Sequence, residues 1–357
     1  MANNRLHKDP FRFIGYFLKR FDTEKSATRI VLEKEFYFSI AHTRLVSSYG
    51  LMANCDIKPL HPKSSSIDLS YLASIPATLM AMKNPQRIPS IYVCSDALSV
   101  FADQVLEQLT TPFILVSGDS DLTVDEGSLG KAFSLLVESP LLVRWYAQNR
   151  VGNHSKIHSL PIGLDFHSKW QEPQMWGGGH VLPATQAFEL RVAFDVSPLW
   201  VNRIPRAYCD WTGTLDRGDR RECKNEIDER ACIFPSGQKT RSQTWLDQSQ
   251  YAFVLSPSGA GPDCHRTWES LALGCVPIVR RHPLCDLFSQ LPVIIVDEWS
   301  QVTQSFLEHQ HMLMQAQQYN YSKILLSTWV DQIGGTSQKH HIPQMMTIAE
   351  YRQWATA

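Results

Sequence analysis

The chain has 357 residues, a formal net charge of −1, and 43% hydrophobic against 19% charged residues. This length exceeds one ordinary hydrophobic core and predicts two domains, and the composition is not that of a disordered protein. The near-neutral charge argues against a broad nucleic-acid-binding surface, so we expect no nucleic-acid partner. No run of about 18 apolar residues occurs, which argues against a membrane-spanning helix.

The N-terminal segment carries basic side chains, but its apolar part, residues 13–18, is too short for the hydrophobic region of a signal peptide. We therefore expect a cytoplasmic protein. Residues 11–21 have two interpretations. In the first, they dock peripherally on a membrane or an assembly complex. In the second, which we favour, they pack as a first helix.

Predicted strands and helices alternate through the first half of the chain. Apolar runs predict strands at residues 88–94, 113–117, 141–146 and 157–161. Helices are predicted over residues 96–109 and near 133–137. Strands separated by helices predict a parallel sheet with crossover connections. Residues 171–187, with their glycines and tryptophans, interrupt the alternation and predict a linker or a flexible loop.

A second α/β unit is predicted to begin near residue 190. It contains a strand around residues 207–210 and ends in three predicted helices, at residues 301–318, 324–333 and 343–357. Eight cysteines are scattered through the chain without a C-x-x-C pair, which predicts buried, reduced thiols. The histidines show no ligand spacing, so we expect no structural metal.

Residues 251–279 are the most informative part of the chain. A predicted strand, residues 251–255, is followed by the glycine loop, residues 256–262, which contains two glycines, two prolines and two serines. Such a loop exposes backbone amides at little steric cost. A helix starting near Asp263 would point its N-terminal amides at an anion such as a diphosphate. Gly274 is expected to end that helix before a buried parallel strand at residues 276–279.

Arg266 and Glu269 stand one turn apart on the polar side of this helix. One interpretation is a surface ion pair, worth about 0.2–0.5 kcal/mol. We favour a ligand-binding interpretation, because the glycine loop makes little structural sense without a ligand.

The segment resembles the nucleotide-sugar-binding motif of exostosin-like glycosyltransferases of the GT-B type, including the ribitol xylosyltransferase branch. The resemblance rests on residues 253–257, Gly261, residues 263–266 (DCHR), residues 268–269 (WE) and residues 273–279 (LGCVPIV). A weaker resemblance lies upstream, in residues 207–211 (AYCDW) and 217–221 (RGDRR). The similarity extends from near residue 205 to near residue 330, and the first half is placed only by its architecture.

The resemblance implies a GT-B fold of two Rossmann-like domains that face each other across a cleft. Residues 1–185 would form the acceptor domain, residues 186–335 the donor domain, and residues 336–357 a helix that packs back on the first domain. The implied activity is inverting, metal-independent transfer of a sugar from a nucleotide-diphosphate donor, of the UDP type, to a hydroxyl of a glycan or polyol-phosphate acceptor. Such an enzyme serves polysaccharide biosynthesis and needs no cofactor.

The resemblance also implies residue roles. Arg266 would contact the donor diphosphate, and Glu269 the donor ribose or sugar. The remaining residues that we expect at the donor belong to the glycine loop, the start of the helix and the upstream motif: Ser256, Ser258, Gly259, Gly261, Asp263, His265, Arg217 and Arg221. In the upstream motif, Arg217, Arg220 and Arg221 would form a second clamp on the diphosphate, and the alternative is a solvated basic turn.

An inverting transfer also needs a base for the acceptor hydroxyl. Ligands of open α/β sheets bind at the carboxyl ends of the strands, where three aspartates follow predicted strands of the first half: Asp96, Asp119 and Asp121. The alternatives are a simple turn at Asp119 and a helix N-cap at Asp96. His154, His158 and Asp165 lie near later strand ends and are weaker candidates.

Two other functions stay open from the sequence. One is a retaining transferase or an epimerase on the same scaffold. The other is a non-catalytic subunit that binds a nucleotide sugar or a glycan.

Overall fold

The computed structural model describes residues 27–82, 87–174, 179–211, 214–335 and 345–356. Within these ranges the chain is an α/β protein with two parallel sheets, of four and five strands. This confirms the predicted fold class at that level and is consistent with two Rossmann-like domains. Residues 11–21, which we predicted to pack as a first helix or to dock on a partner, lie outside the described ranges.

The first sheet has its strands in chain order, β1-β2-β3-β4. They are β1 (Ser90–Cys94), β2 (Phe113–Gly118), β3 (Leu142–Ala147) and β4 (Ile157–Ser159). Each lies within or overlaps an apolar run that predicted it. All six residues of β2 are buried, as expected for a central strand of a parallel sheet covered on both faces.

The second sheet has the order β6-β5-β7-β8-β9. Its strands are β5 (Ile204–Tyr208), β6 (Cys232–Ile233), β7 (Tyr251–Leu255), β8 (Val276–Arg280) and β9 (Ile294–Val296). Strand β5 therefore has β6, the next strand along the chain, on one side and β7 on the other. This reversal of direction is a topological switch point, where open α/β sheets bind their ligands.

Helices cover both sheets, and several are shorter than predicted. In chain order the α-helices are α1 (Ala27–Ala41), α2 (Ser48–Ala53), α3 (Leu69–Ala81), α4 (Leu98–Val100), α5 (Glu126–Leu129), α6 (Lys131–Glu138), α7 (Ser168–Gln171), α8 (Pro183–Val196), α9 (Arg220–Glu226), α10 (Arg241–Gln248), α11 (His265–Ala272), α12 (Gln304–Met314), α13 (Leu326–Ile333) and α14 (Ile348–Thr356). Helix α4 continues into the π-helix Phe101–Val105 between two 3₁₀ turns, so residues 95–108 are helical. The predicted linker is partly helical, because α7 ends in it and α8 begins at Pro183.

One helix from the second half of the chain completes the core of the first sheet. Helix α13 starts where Leu326 N donates to Arg44 O (3.0 Å), and its Gln332 carbonyl accepts from Tyr146 Oη of β3 (2.7 Å). Trp329 and Val330 share a buried cluster with Val116 of β2. The chain therefore returns to the first sheet before residue 335.

The C-terminal helix α14 packs mainly against the second half of the chain. Tyr351 stacks on Tyr321 with ring centroids 4.0 Å apart, and its Oη donates to Ala272 O (3.3 Å). Arg352 donates to the carbonyl of Ser197 (2.7 Å). One contact reaches the first half of the chain, where the guanidinium of Arg44 lies 3.8 Å from the ring of Trp354.

All eight cysteines are free thiols, and six of them are buried, as the sequence predicts. Among the described residues, no helix is long and apolar enough to cross a membrane.

Candidate functional site

The glycine loop lies at the switch point of the second sheet. It follows β7, and the neighbouring strand β5 leads into residues 209–219. The crevice beyond the carboxyl ends of β5 and β7 is the place where sheets of this order bind ligands. The fold thus brings the two sequence motifs, residues 217–221 and residues 256–266, to one edge of the sheet.

Asp219 holds these two segments together. Its Oδ1 accepts from both the backbone N and the Oγ of Ser258, each at 2.7 Å. Its Oδ2 accepts from Trp299 Nε1 (2.9 Å) and lies 3.3 Å from Arg280 Nε. This aspartate was not among the residues predicted from the motif, although an acid between arginines is a visible signal in the sequence.

Gly218 allows the segment before α9 to approach the glycine loop closely. It has φ +55°, and a Cβ there would lie 2.4 Å from Ser258 O and 2.6 Å from Gly259 O. Only glycine accepts both the left-handed backbone and this contact without strain. The two loops are therefore packed backbone against backbone.

Two arginines gather beside the glycine loop, and we call Arg220 and Arg266 the arginine cluster. Arg266 Nε donates to Asp210 Oδ1 (3.2 Å), and its Nη1 donates to Pro257 O (3.3 Å). Burial lowers the pKa of Arg220, and the positive charge of Arg266 lowers that pKa further. The Nε of Arg220 is buried without a hydrogen-bond partner. Like charges held together in this way create a local potential that favours an anion.

The two arginines predicted beside Arg266 are placed differently. Arg217 is exposed, and its charge acts on Arg220. Arg221 is also exposed and pairs with Asp216 on the surface. Arg220, the third arginine of this motif, lies beside the glycine loop, because the charge of Arg266 acts on it and its Nη2 would lie 3.4 Å from a Cβ at Gly259.

Each serine of the glycine loop already has a partner. Ser256 Oγ lies 2.8 Å from Thr267 Oγ1 in a buried contact, and Ser258 binds Asp219. Gly259 leaves room for Arg220, whose Nη2 would lie 3.4 Å from a Cβ at that position. A cavity of about 120 Å³ adjoins the loop, and the residues lining it are Asp219, Ser256, Ser258, Pro262, Val279, Arg280, Arg281 and His282.

Glu269 has its hydrogen-bond partners on α10. Its two carboxylate oxygens accept from Arg241 Nη2 (2.5 Å) and Trp245 Nε1 (3.1 Å). Arg266 and Glu269 therefore have their ion-pair partners elsewhere, in Asp210 and Arg241. The alternative of an ion pair between Arg266 and Glu269 is therefore wrong, and the role of Glu269 at the donor stays a prediction.

The carboxyl ends of the two sheets meet. Residues that follow β4 in the first sheet contact residues at the end of the glycine loop and the start of α11. Asp263 Oδ2 accepts from Ile162 N (2.8 Å), and His265 Nδ1 lies 2.7 Å from Gly163 O. Asp263 also accepts from Trp268 Nε1 (2.9 Å), and burial raises its pKa to about 6. Two residues predicted at the donor, Asp263 and His265, thus connect the halves of the chain.

Gly261 makes a third contact between the two halves of the chain. A Cβ at this glycine would lie 2.9 Å from Nδ2 of Asn149, in the segment that follows β3. The loops that follow β3 and β4 therefore both reach the second half of the chain.

We call these contacts between the two halves of the chain the junction. Of the three predicted bases, Asp119 is the one that faces the junction. It is buried with φ +57°, accepts from Ser64 Oγ (2.8 Å), and lies 3.6 Å from His167 Nε2. Burial raises its pKa to about 7. The turn after β2 is made by Ser120, whose Oγ accepts from Leu122 N (3.0 Å), so Asp119 does not act as the turn-forming side chain.

Among the described residues, neither of the other two aspartates has a recorded contact with His167. Asp121 is exposed. Asp96 is half-buried near Cys94, whose Sγ lies 3.7 Å from its Oδ2, and Cys94 rather than Asp96 occupies the N-cap position.

A buried group of three side chains lies at the junction: Asp165, His167 and His265. Oδ1 of Asp165 is 3.3 Å from Nδ1 of His167. Burial alone would raise the pKa of Asp165, but the charges of His167, His265 and Arg241 hold that pKa below its usual range. Burial lowers the pKa of His167 to about 4. Sequence reasoning named Asp165 only as a weaker candidate and missed His167.

The remaining weaker candidates do not join this group. His154 accepts from Lys156 N through Nδ1 (3.2 Å), and the ring of His158 lies 5.2 Å from that of Tyr146.

Comparison with known proteins identifies no relative. No protein-family model matches the chain, and no curated protein is significantly similar to it.

Proposed function

We propose that the protein is a glycosyltransferase of the GT-B type. It would transfer a sugar from a nucleotide-diphosphate donor, of the UDP type, to a hydroxyl of a glycan or polyol-phosphate acceptor with inversion. The observation that carries the proposal is the arginine cluster beside the glycine loop, at the switch point of the second sheet. A diphosphate is the ligand whose charge and size suit this arrangement.

The chemistry follows from the charge that develops on the leaving diphosphate. Arg266 supplies a guanidinium near the start of α11, where no side chain caps the helix and the positive end of its dipole favours an anion. Preorganised donors of this kind stabilise a leaving group more than water does. Arg220, with its unpaired Nε, adds a second positive charge.

The base that takes the acceptor proton is assigned to Asp119. Of the three predicted aspartates it is the one that lies where the carboxyl ends of the two sheets meet. In this proposal the acceptor binds opposite the donor, between the two domains.

The cavity beside the glycine loop is smaller than a nucleotide sugar requires. Its volume is about 120 Å³, whereas pockets for ligands of drug size measure about 300–1,000 Å³. We therefore expect donor binding to enlarge this cavity, whose lining residues all belong to the second half of the chain.

Calorimetric titration with UDP, GDP, CMP and their sugar conjugates tests the donor site. We expect one nucleotide to bind, and its affinity to be unchanged by added Mn²⁺. Arg266→Ala should weaken it about 10- to 100-fold, because a hydrogen bond to a charged group contributes about 1.5–3 kcal/mol. The matched control is Arg230→Ala, an exposed arginine that pairs with Asp228, and this variant should bind like the wild type. Absence of binding by the folded protein, or equal loss in both variants, would contradict the proposal.

Replacement of the proposed base tests the transfer step. With the donor identified, Asp119→Asn should lower the rate of sugar transfer at least about 100-fold, the lower range for general base catalysis. Donor affinity should stay the same, because Asp119 lies on the acceptor side. Asp121→Asn removes an exposed carboxylate two residues away and should leave the rate unchanged. Full activity of Asp119→Asn would remove Asp119 from this role.

A further inference from the structure

We propose that Asp165, His167 and His265 bind one divalent transition-metal ion, with Zn²⁺ as the best fit, at the junction of the two domains. One ligand atom from each of the three residues lies within 4.8 Å of the others. The inference goes beyond the glycosyltransferase proposal and does not depend on it.

The donor set matches the chemistry of such an ion. Two imidazoles and one carboxylate are a common set for zinc sites with an open fourth position. Imidazole nitrogen suits zinc and its neighbours in the first transition series, whereas magnesium and calcium prefer oxygen ligands.

His265 is oriented as metal-binding histidines usually are. Its Nδ1 is 2.7 Å from the carbonyl oxygen of Gly163, and because a carbonyl only accepts, Nδ1 carries the hydrogen. The lone pair is therefore on Nε2. A second ring nitrogen bound to a backbone carbonyl fixes the tautomer and the orientation of a ligating imidazole.

His167 supplies the second, independent observation. Its ring stacks on Tyr49 with centroids 4.3 Å apart, which fixes the ring plane, and its Nε2 faces Asp119. Its Nδ1 faces Asp165 and has no hydrogen-bond partner, although the residue is only 5% exposed. A buried polar atom without a partner costs free energy that a bound cation would recover.

The surrounding charges leave the Asp165 carboxylate available to a cation. The nearby Arg241 donates through Nη1 to the backbone carbonyl of Asp165, and through Nη2 to the carboxylate of Glu269. Its positive charge is thus offset by Glu269. The Oδ1 of Asp165 accepts from Ser168 N (2.9 Å), which holds the carboxylate in position.

The ligands come from both halves of the chain. Asp165 and His167 follow β4, and His265 is the first residue of α11. An ion bound by all three would join the two halves, and since it binds the folded chain, it would raise the unfolding temperature with increasing metal concentration.

The test uses the full chain, stripped of metal and titrated with Zn²⁺ and with Co²⁺. We expect one equivalent bound, a higher unfolding temperature, and visible Co²⁺ absorption from nitrogen and oxygen ligands. Two variants remove a ligand nitrogen while keeping the outer hydrogen bond. His265→Asn keeps a donor near Gly163 O, and His167→Gln keeps an amide near Asp119. Each should weaken binding at least about 100-fold, because loss of an outer partner alone costs about 10- to 100-fold.

His309→Asn is the matched control, because this histidine is exposed on α12. It should bind Zn²⁺ like the wild type. The proposal is overturned if the folded wild type binds neither ion at micromolar concentration. It is also overturned if folded His265→Asn and His167→Gln both bind as the wild type does. Because no nucleotide is present, either result leaves the donor proposal to its own experiment.

Discussion

Asp219→Ala is expected to lower the free energy of unfolding by about 3–5 kcal/mol, the range for removing one partner from a buried charged contact. The substitution leaves Trp299 Nε1 and Ser258 N without their acceptor. Trp299 is fully buried, so its indole N–H loses its acceptor inside the protein. An unpaired buried donor costs about 1–3 kcal/mol, and two such donors account for most of the expected loss.

Denaturant unfolding of the purified variants measures this effect. Asp216→Ala is the matched control, because Asp216 lies in the same loop with a side chain that is 87% exposed. It should change the free energy of unfolding by less than about 0.5 kcal/mol, as surface substitutions usually do. Asp219→Asn keeps an acceptor oxygen and should fall between the two. Equal stability of Asp219→Ala and Asp216→Ala would show that Asp219 does not hold the loops together.

Gly163→Ala is the second substitution with a large expected effect. Gly163 has φ +66°, and a Cβ there would lie 2.3 Å from the carbonyl oxygen of Val46. The left-handed conformation costs a non-glycine residue about 1–2 kcal/mol, and overpacking typically adds about 1–3 kcal/mol. We expect a total loss of about 3–5 kcal/mol, because the clashing atoms are backbone and cannot rotate away.

Gly152 separates the two contributions. It has φ +88° but nothing within 4 Å of a Cβ, so Gly152→Ala carries the conformational strain without the clash. We expect that variant to lose only about 1–2 kcal/mol in the same unfolding experiment. If both variants lose the same amount, the close approach of Gly163 to Val46 contributes nothing.

Most of the strands could be predicted from the sequence because they are short apolar runs between turn residues, but β6 and β9, of two and three residues, were not predicted. Residues 113–117 and 251–255 became β2 and β7 almost unchanged. The strand order could not be predicted, since pairing joins residues far apart in the chain. The same holds for α13, whose sequence shows a helix but not that it covers the first sheet.

The candidate site likewise contains residues that the sequence indicates and residues that only the fold brings together. The glycine loop and Arg266 were visible because they lie in one dense motif. Asp219 and Arg220 belong to a second motif, which only the sheet brings to the loop. The group of Asp165, His167 and His265 could not be found by ligand spacing, because its third member comes from the other half of the chain.

Glu269 shows the limit of a motif taken alone. Its spacing from Arg266 predicts that both side chains serve one ligand. In the structure Glu269 binds Arg241 and Trp245 instead, because α10 packs on the side of α11 that carries it. Its role at the donor stays a prediction that rests on the resemblance.

A structure of the protein with a nucleoside diphosphate bound is the most direct test of the donor site. The account predicts the phosphates within hydrogen-bonding distance of Arg266 and Arg220, beside the glycine loop and the first turn of α11. A diphosphate bound away from the carboxyl ends of β5 and β7, with both arginines free of it, would contradict the account.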